Sequence, residues 1–166
     1  MATEATAAGI AQAGKFLSFF LGEEEYGLAI LKVQEIKGMM GITRLPRTPE
    51  YVRGLINLRG RMIPVVNLRA KLGLPATADT EKTCIIVVQV RHDGRDSTMG
   101  LVVDEVSEVL NLGEGQIEPP ANFGGGNDEA GFRSGLGRLE HKVVILLDID
   151  RVMSGSEIEA VIQAAG

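Results

Sequence analysis

The sequence has no tryptophan, one cysteine, two histidines and only 4% aromatic residues. Stacking of nucleic-acid bases on aromatic platforms is therefore poorly provided for. A basic excess is also missing: 17 Lys and Arg stand against 22 Asp and Glu, a formal charge of -5. Affinity built mainly on neutralising phosphates is excluded by that balance. With one cysteine no intrachain disulfide can form, which points to a reducing compartment. Cys84 lies in the apolar run Cys84-Ile85-Ile86-Val87-Val88 and reads as a core filler. No apolar run approaches the roughly 20 residues of a membrane helix. The N-terminal residues lack the charged start and apolar stretch of a secretory signal. Together these absences point to a cytoplasmic chain that inserts in no membrane.

What is present is 45% apolar residues over a length of 166, enough for one compact core or two small lobes sharing one. Residues 1–14, rich in Ala, Thr and Gly, read as a frayed tail. Beyond them the chain repeats itself. Phe16–Leu21, an acidic turn and Tyr26-Gly27-Leu28 correspond to Ile85–Val90, a polar turn and Met99-Gly100-Leu101. The match continues with Val33 on Val106, Glu35 on Glu108 and Ile36 on Val109. Gly54–Leu58 then falls on Gly135–Leu139, and Met62–Leu68 on Val143–Ile149. The second half is longer between these blocks, and the excess falls at Phe123–Gly131, whose glycines suit a flexible insertion. The first repeat spans about 15–77 and the second about 83–153, with 154–166 left as a terminal helix or tail.

Short runs of Val, Ile, Leu and Phe between Gly, Pro, Asp and Asn predict strands and a mainly β protein. Asp93-Gly94 predicts a hairpin turn, because glycine accepts positive φ. Ile85–Val90 and Val143–Leu147 are almost continuously apolar, so both faces of these strands should be covered. Helical signals are short. Thr48 with Pro49 predicts an N-cap and first helical residue, and Asn67 and Asp148 predict caps after the strand of each repeat. Ser156-Glu157-Ile158-Glu159 fits a capping box, with Ile158, Val161 and Ile162 at helical spacing behind it.

No reacting constellation emerges. His92 and His141 read as solvated turn residues, and neither has a zinc-like spacing with Cys84. Asp104, Glu105, Glu108, Asp148 and Asp150 read as ordinary solvated carboxylates rather than a magnesium or acid–base set. Gly124-Gly125-Gly126 is followed by no Lys-Ser/Thr of a phosphate loop. The chain is therefore expected to be no enzyme, with no catalytic residue, metal or cofactor. The distinctive charges are Glu35 and Arg59. Arg59 follows an apolar, helix-like stretch, precedes Gly60 and is placed on a turn before the Met62–Leu68 strand. A guanidinium suits a fixed bidentate partner, for which Glu35 is the candidate. The plainer alternative is a surface pair contributing at most about 1 kcal/mol.

Tyr26–Ile36, Gly54–Arg69 and Gly100–Val106 resemble three signature blocks of the CheW family of chemotaxis coupling proteins, and the likeness runs from about Lys15 to Met153. The resemblance implies two SH3-like five-stranded β-barrel subdomains packed on a shared core, strands exchangeable between them, with short helices and a C-terminal helix. It implies an adaptor without catalytic activity. A groove between the lobes would receive the hairpin tip of a chemoreceptor, and other surfaces would bind the regulatory domain of the CheA histidine kinase. On the receptor side it implies Val33, Glu35, Ile36, Gly54, Arg59 and Val109; on the kinase side, Ile42, Thr43, Leu45, Glu118 and Phe123. A piece of the kinase's own regulatory domain, or an adaptor carrying a receiver domain, would share the fold. The short flanking segments weigh against both. A small-barrel nucleic-acid binder is disfavoured by the acidic balance.

Overall fold

The computed structural model describes residues 12–119, 133–153 and 155–165. Two sheets account for most of them. One has the order β3-β6-β7-β5-β4 and the other β8-β1-β2-β11-β10-β9, with β1 Gly14–Leu21, β2 Glu24–Ala29, β3 Val33–Gly38, β4 Val52–Leu58, β5 Arg61–Asn67, β6 Cys84–His92, β7 Arg95–Val103, β8 Glu105–Leu112, β9 Ile117–Glu118, β10 Arg133–Arg138 and β11 Val143–Leu147. The protein is mainly β, and each sheet forms one SH3-like lobe. One sheet has six strands rather than five, because the two-residue β9 caps the outer edge of β10.

Each sheet takes strands from both repeats. β3 pairs with β6, setting Ile36 opposite Ile86, and β8 pairs with β1, setting Val109 opposite Leu17. The parallel contacts match likewise: Val65 lies opposite Gly100, and Leu146 opposite Gly27. A two-residue turn at Asp93 (φ 51) and Gly94 (φ 74) joins β6 to β7 and pairs His92 with Arg95, the positive φ at both positions giving the turn the twist that suits the flanking strands.

Period-two alternation sorts β6 into two interiors. Ile86 and Val88 enter a core shared by both lobes, while Ile85 and Val87 enter the five-stranded lobe beside Ile56 and Ile63. All four are fully buried, so both faces of this strand are covered. In β11 Val144 and Leu146 are buried inside the six-stranded lobe, but Val143 is 52% exposed. Cys84 is half-buried against the shared core, and burial pushes its thiol pKa up.

Asn67 caps α1 (Leu68–Lys71), its Oδ1 accepting from Ala70 N, and Asp148 caps α2 (Ile149–Val152), accepting from Asp150 N. Helix α3 (Gly155–Ala165) begins one residue ahead of Ser156. Val161 on α3 is buried in the shared core; the side chains of Ile158 and Ile162 lie outside those described.

Three expectations are corrected. No helix forms at Thr48-Pro49: Thr48 Oγ1 donates to Leu45 O, Pro49 O accepts from Val52 N, and β4 starts at Val52, which leaves no length for a helical turn. The stretch before Arg59 is strand β4, not helix-like. His92 is no solvated turn residue. Its side chain is 17% exposed, and its Nε2 is buried without a hydrogen-bond partner, 3.5 Å from an Asp93 carboxylate oxygen and 3.6 Å from one of Glu159 on α3. The terminal helix covers what a hairpin turn would otherwise leave in water. His141 is exposed, as the sequence suggests.

Candidate functional site

The carboxylates read as solvated are engaged in the structure. Asp104 accepts from Arg69 Nε at 2.9 Å, Arg69 Nη2 at 2.7 Å and Gly22 N at 2.7 Å. These bonds, chiefly the one from Arg69, hold its carboxyl below the ordinary aspartate range. Asp150 accepts from Lys32 Nζ and Arg91 N, both at 2.7 Å. Glu108 shares Lys142 Nζ with Glu25. Asp148 is turned inward as a cap, and desolvation pushes its pKa up. Among the described residues no group of His, Cys, Asp and Glu could hold a metal ion.

Glu35 and Arg59 are brought together by a tight turn. Leu58 pairs with Arg61 across Arg59 (φ 53) and Gly60 (φ 85), and Gly60 N donates to Asn57 Oδ1 at 2.9 Å. A left-handed arginine is uncommon and costs of order 1 kcal/mol or more. Asparagine or glycine would take that place with less strain, so what arginine adds there is its side chain. Its guanidinium binds Glu35 on β3 in bidentate fashion, Nη1 to Oε1 at 3.3 Å and Nη2 to Oε2. This bonding holds the Glu35 carboxyl below its ordinary value. Arg59 remains 68% exposed, a preset charge facing solvent. Arg61, Leu58, Gln34 and Thr98 complete the depression around the pair.

The exposed apolar side chains near it in the chain lie on the other face of the sheet, since Glu35 pairs with Val87 of the lobe interior and Ile36 with Ile86 of the shared core. Ile36 is 45% and Met62 48% exposed, whereas Val33, at the start of β3, is half-buried over the shared core. Val109 is 53% exposed on β8, the edge strand of the other sheet. Met62 was not singled out by sequence reasoning; the repeat, which sets it on Val143, was the available signal.

Gly54 serves a neighbouring segment. Its φ is 141, and a Cβ there would stand 2.0 Å from Thr43 O. Only glycine lets Thr43 N donate to Leu55 O at 2.9 Å and Leu55 N donate to Thr43 O at 2.8 Å. Ile42 packs on the interior of the five-stranded lobe, Thr43 is exposed and Leu45 half-buried. In the other lobe Glu118 on β9 lies opposite Leu136 and is bound by Arg138 Nη1. Thr43 and Glu118 thus cap the outer edges of β4 and β10 at repeat-related places. Phe123 and the glycine-rich stretch after it lie outside the described residues.

Two lobes, strands shared between them, a solvent-facing charged clamp and exposed apolar residues are features of a binding module. The family model of the CheW-like domain matches residues 15–157. The chain belongs to the CheW-like family. It is 38% identical over 161 residues to a chemotaxis protein CheW of Klebsiella aerogenes, covering 97% of this chain and 94% of that one. It is 34% identical over 146 residues to a chemotaxis protein CheW of Rhizobium meliloti, covering 88% and 91%. The crystal structure of the scaffolding protein TtCheW from Thermoanaerobacter tengcongensis superposes with a TM-score of 0.76 at 35% identity, covering 88% of this chain and 97% of that one. As a CheW-like protein the chain is a chemotaxis scaffold or adaptor. Among the described residues no helix is long and apolar enough to cross a membrane.

Proposed function

We propose that this CheW-like chain couples chemoreceptor signalling tips to the regulatory domain of a CheA histidine kinase, binding both without catalysing a reaction and so being recruited from the cytoplasm to membrane-associated receptor arrays. The observation that carries the reading is the bidentate Glu35–Arg59 clamp, held by a strained turn and left open to solvent. A helical hairpin tip offers apolar knobs with charges beside them, and such a clamp selects their orientation while the apolar residues are covered. Val33, Glu35, Ile36, Arg59 and Val109 form the receptor side, with Gly54 supporting it through the β4–β5 bulge. Ile42, Thr43, Leu45, Glu118 and Phe123 form the kinase side; of these, Thr43 and Glu118 lie at the outer edges of β4 and β10. Individual contacts are small, so arrays gain strength from many of them.

Calorimetric titration of the chain with a CheA regulatory domain, and separately with a receptor signalling fragment, tests the proposal. Saturable binding to both is expected, with Arg59→Ala weakening receptor binding, leaving kinase binding in place and the unfolding midpoint unchanged. Failure of both fragments to bind would refute the coupling role. Glu118→Lys is expected to change array formation while pairwise kinase binding persists.

A further inference from the structure

Two turns of the same length close the repeat-related hairpins β4–β5 and β10–β11. Asn57 lies opposite Met62 in the first and Arg138 opposite Val143 in the second. In the six-stranded lobe the turn residues are Glu140 and His141, with Leu139 N donating to Lys142 O at 2.9 Å. Neither has a positive φ, and both side chains are 88% exposed. At the matching positions of the five-stranded lobe stand Arg59 and Gly60, and both take positive φ. The fold therefore closes this hairpin without a left-handed residue in one repeat and with two in the other.

The residue ahead of the turn marks the difference. Asn57 Oδ1 accepts from Gly60 N at 2.9 Å. Its repeat counterpart Arg138 carries no side-chain acceptor and is spent on Glu118. An Asn side chain that bonds a backbone N–H three residues on fixes the chain between them, and Gly60 takes positive φ without a Cβ penalty. The consequence falls on Arg59. Held in this turn, its guanidinium lies on Glu35 in bidentate fashion. Glu140, at the same place in the other hairpin, stands 3.9 Å from its neighbour His141, and the counterpart of Glu35, Glu108, is bound by Lys142 from beside the turn.

We propose that Asn57 is a positioning residue for receptor docking: it holds the Arg59-Gly60 turn in its left-handed form and so presents the Glu35–Arg59 clamp to the chemoreceptor tip already ordered. This rests on the receptor reading above. Asn57 acts through Arg59, because a guanidinium fixed before binding loses less rotamer freedom when the partner arrives.

The test is titration of the full chain with a receptor signalling fragment, using Asn57→Ala, Asn57→Asp and the double variant Asn57→Ala, Arg59→Ala. Asn57→Ala is expected to weaken binding roughly fivefold, with binding of the CheA regulatory domain unchanged. Asn57→Asp keeps the acceptor and is expected to bind within about twofold of wild type. Adding Asn57→Ala to Arg59→Ala is expected to cost nothing more, since no guanidinium is left to place. Wild-type affinity in Asn57→Ala beside a loss in Arg59→Ala would overturn the positioning role and leave the receptor reading standing. So would Asn57→Asp binding no better than Asn57→Ala, or a full further loss in the double variant. No binding of the unaltered chain, or no loss in Arg59→Ala, would overturn both the docking role of the clamp and this inference.

Discussion

In the five-stranded lobe Arg69, on α1 after β5, holds Asp104 from the β7–β8 connection; at the matching point of the six-stranded lobe Asp150, on α2 after β11, holds Lys32 from the β2–β3 connection. The acid and the base have changed places. Coulomb attraction is unaffected by that exchange, but a backbone N–H can only donate, so the carboxylate must reach it from whichever element carries it. Gly22 N and Arg91 N, at corresponding ends of β1 and β6, supply those donors to Asp104 and Asp150. The scaffold therefore dictates where an ion pair stands and leaves its polarity open. The Glu35–Arg59 and Glu108–Lys142 pairs show the same latitude, the first standing near Arg61 and Lys37 and the second sharing its lysine with Glu25.

The largest expected effect comes from the bulge that seats Thr43 on β4. Gly54→Val should destabilise by about 3 kcal/mol or more, since the new Cβ meets backbone and φ is disallowed; urea unfolding would read this, and near-wild-type stability would show that the five-stranded lobe does without its Thr43 bridge. Next comes the comparison of the two internal ties. Arg69→Ala should cost about 2 kcal/mol, because it strips a partly buried carboxylate of its fork. Lys32→Ala should cost about 1 kcal/mol or less, the pair being more evenly exposed at 31% and 29%. Equal losses in paired denaturation curves would break the distinction. A sharper test of polarity is Lys32→Asp with Asp150→Arg, which copies the arrangement of the other lobe. Stability within about 1 kcal/mol of wild type is expected, with each single change worse than the pair.

The smallest effect concerns α3, which follows α2 but has no helical counterpart after α1. Glu157 on α3 accepts from Tyr51 Oη at 2.8 Å and Lys71 Nζ at 2.7 Å. Burial first, then this bond, pushes the Tyr51 pKa up to about 12 from an ordinary 10.0. A raised folded-state pKa adds stability that is full below pH 10 and is lost as pH rises through about 12. Thermal melts across that window should fall more steeply for wild type than for Tyr51→Phe. Identical slopes would remove Tyr51 from the docking of α3.

Strands, hairpin turns and the two strand-end caps were legible because their signals are local: a short run of β-favouring apolar residues along Phe16–Leu21, glycine after Asp93, an Asx side chain before Leu68 and Ile149. The Glu35–Arg59 pair was legible as a candidate because arginine occupied a turn position. The Glu108–Lys142 pair went unread, since Lys142 becomes notable only once β8 lies beside β1 and its Glu108 meets the β10–β11 turn. Thr48-Pro49 misled because a good cap needs several free residues after it, and β4 follows too soon.

By itself, the sequence determined the mainly β class, the doubling of the chain and the shortage of catalytic groups, all properties of residue type and of spacing along the chain. Only the tertiary structure decided that β3 and β8 cross to the opposite sheets, that His92 lies under the terminal helix, and that Asp104, Asp150 and Glu108 are paired. These depend on which distant backbone edges and apolar faces meet, and burial and ion pairing follow from that meeting rather than from any residue's neighbours in the chain.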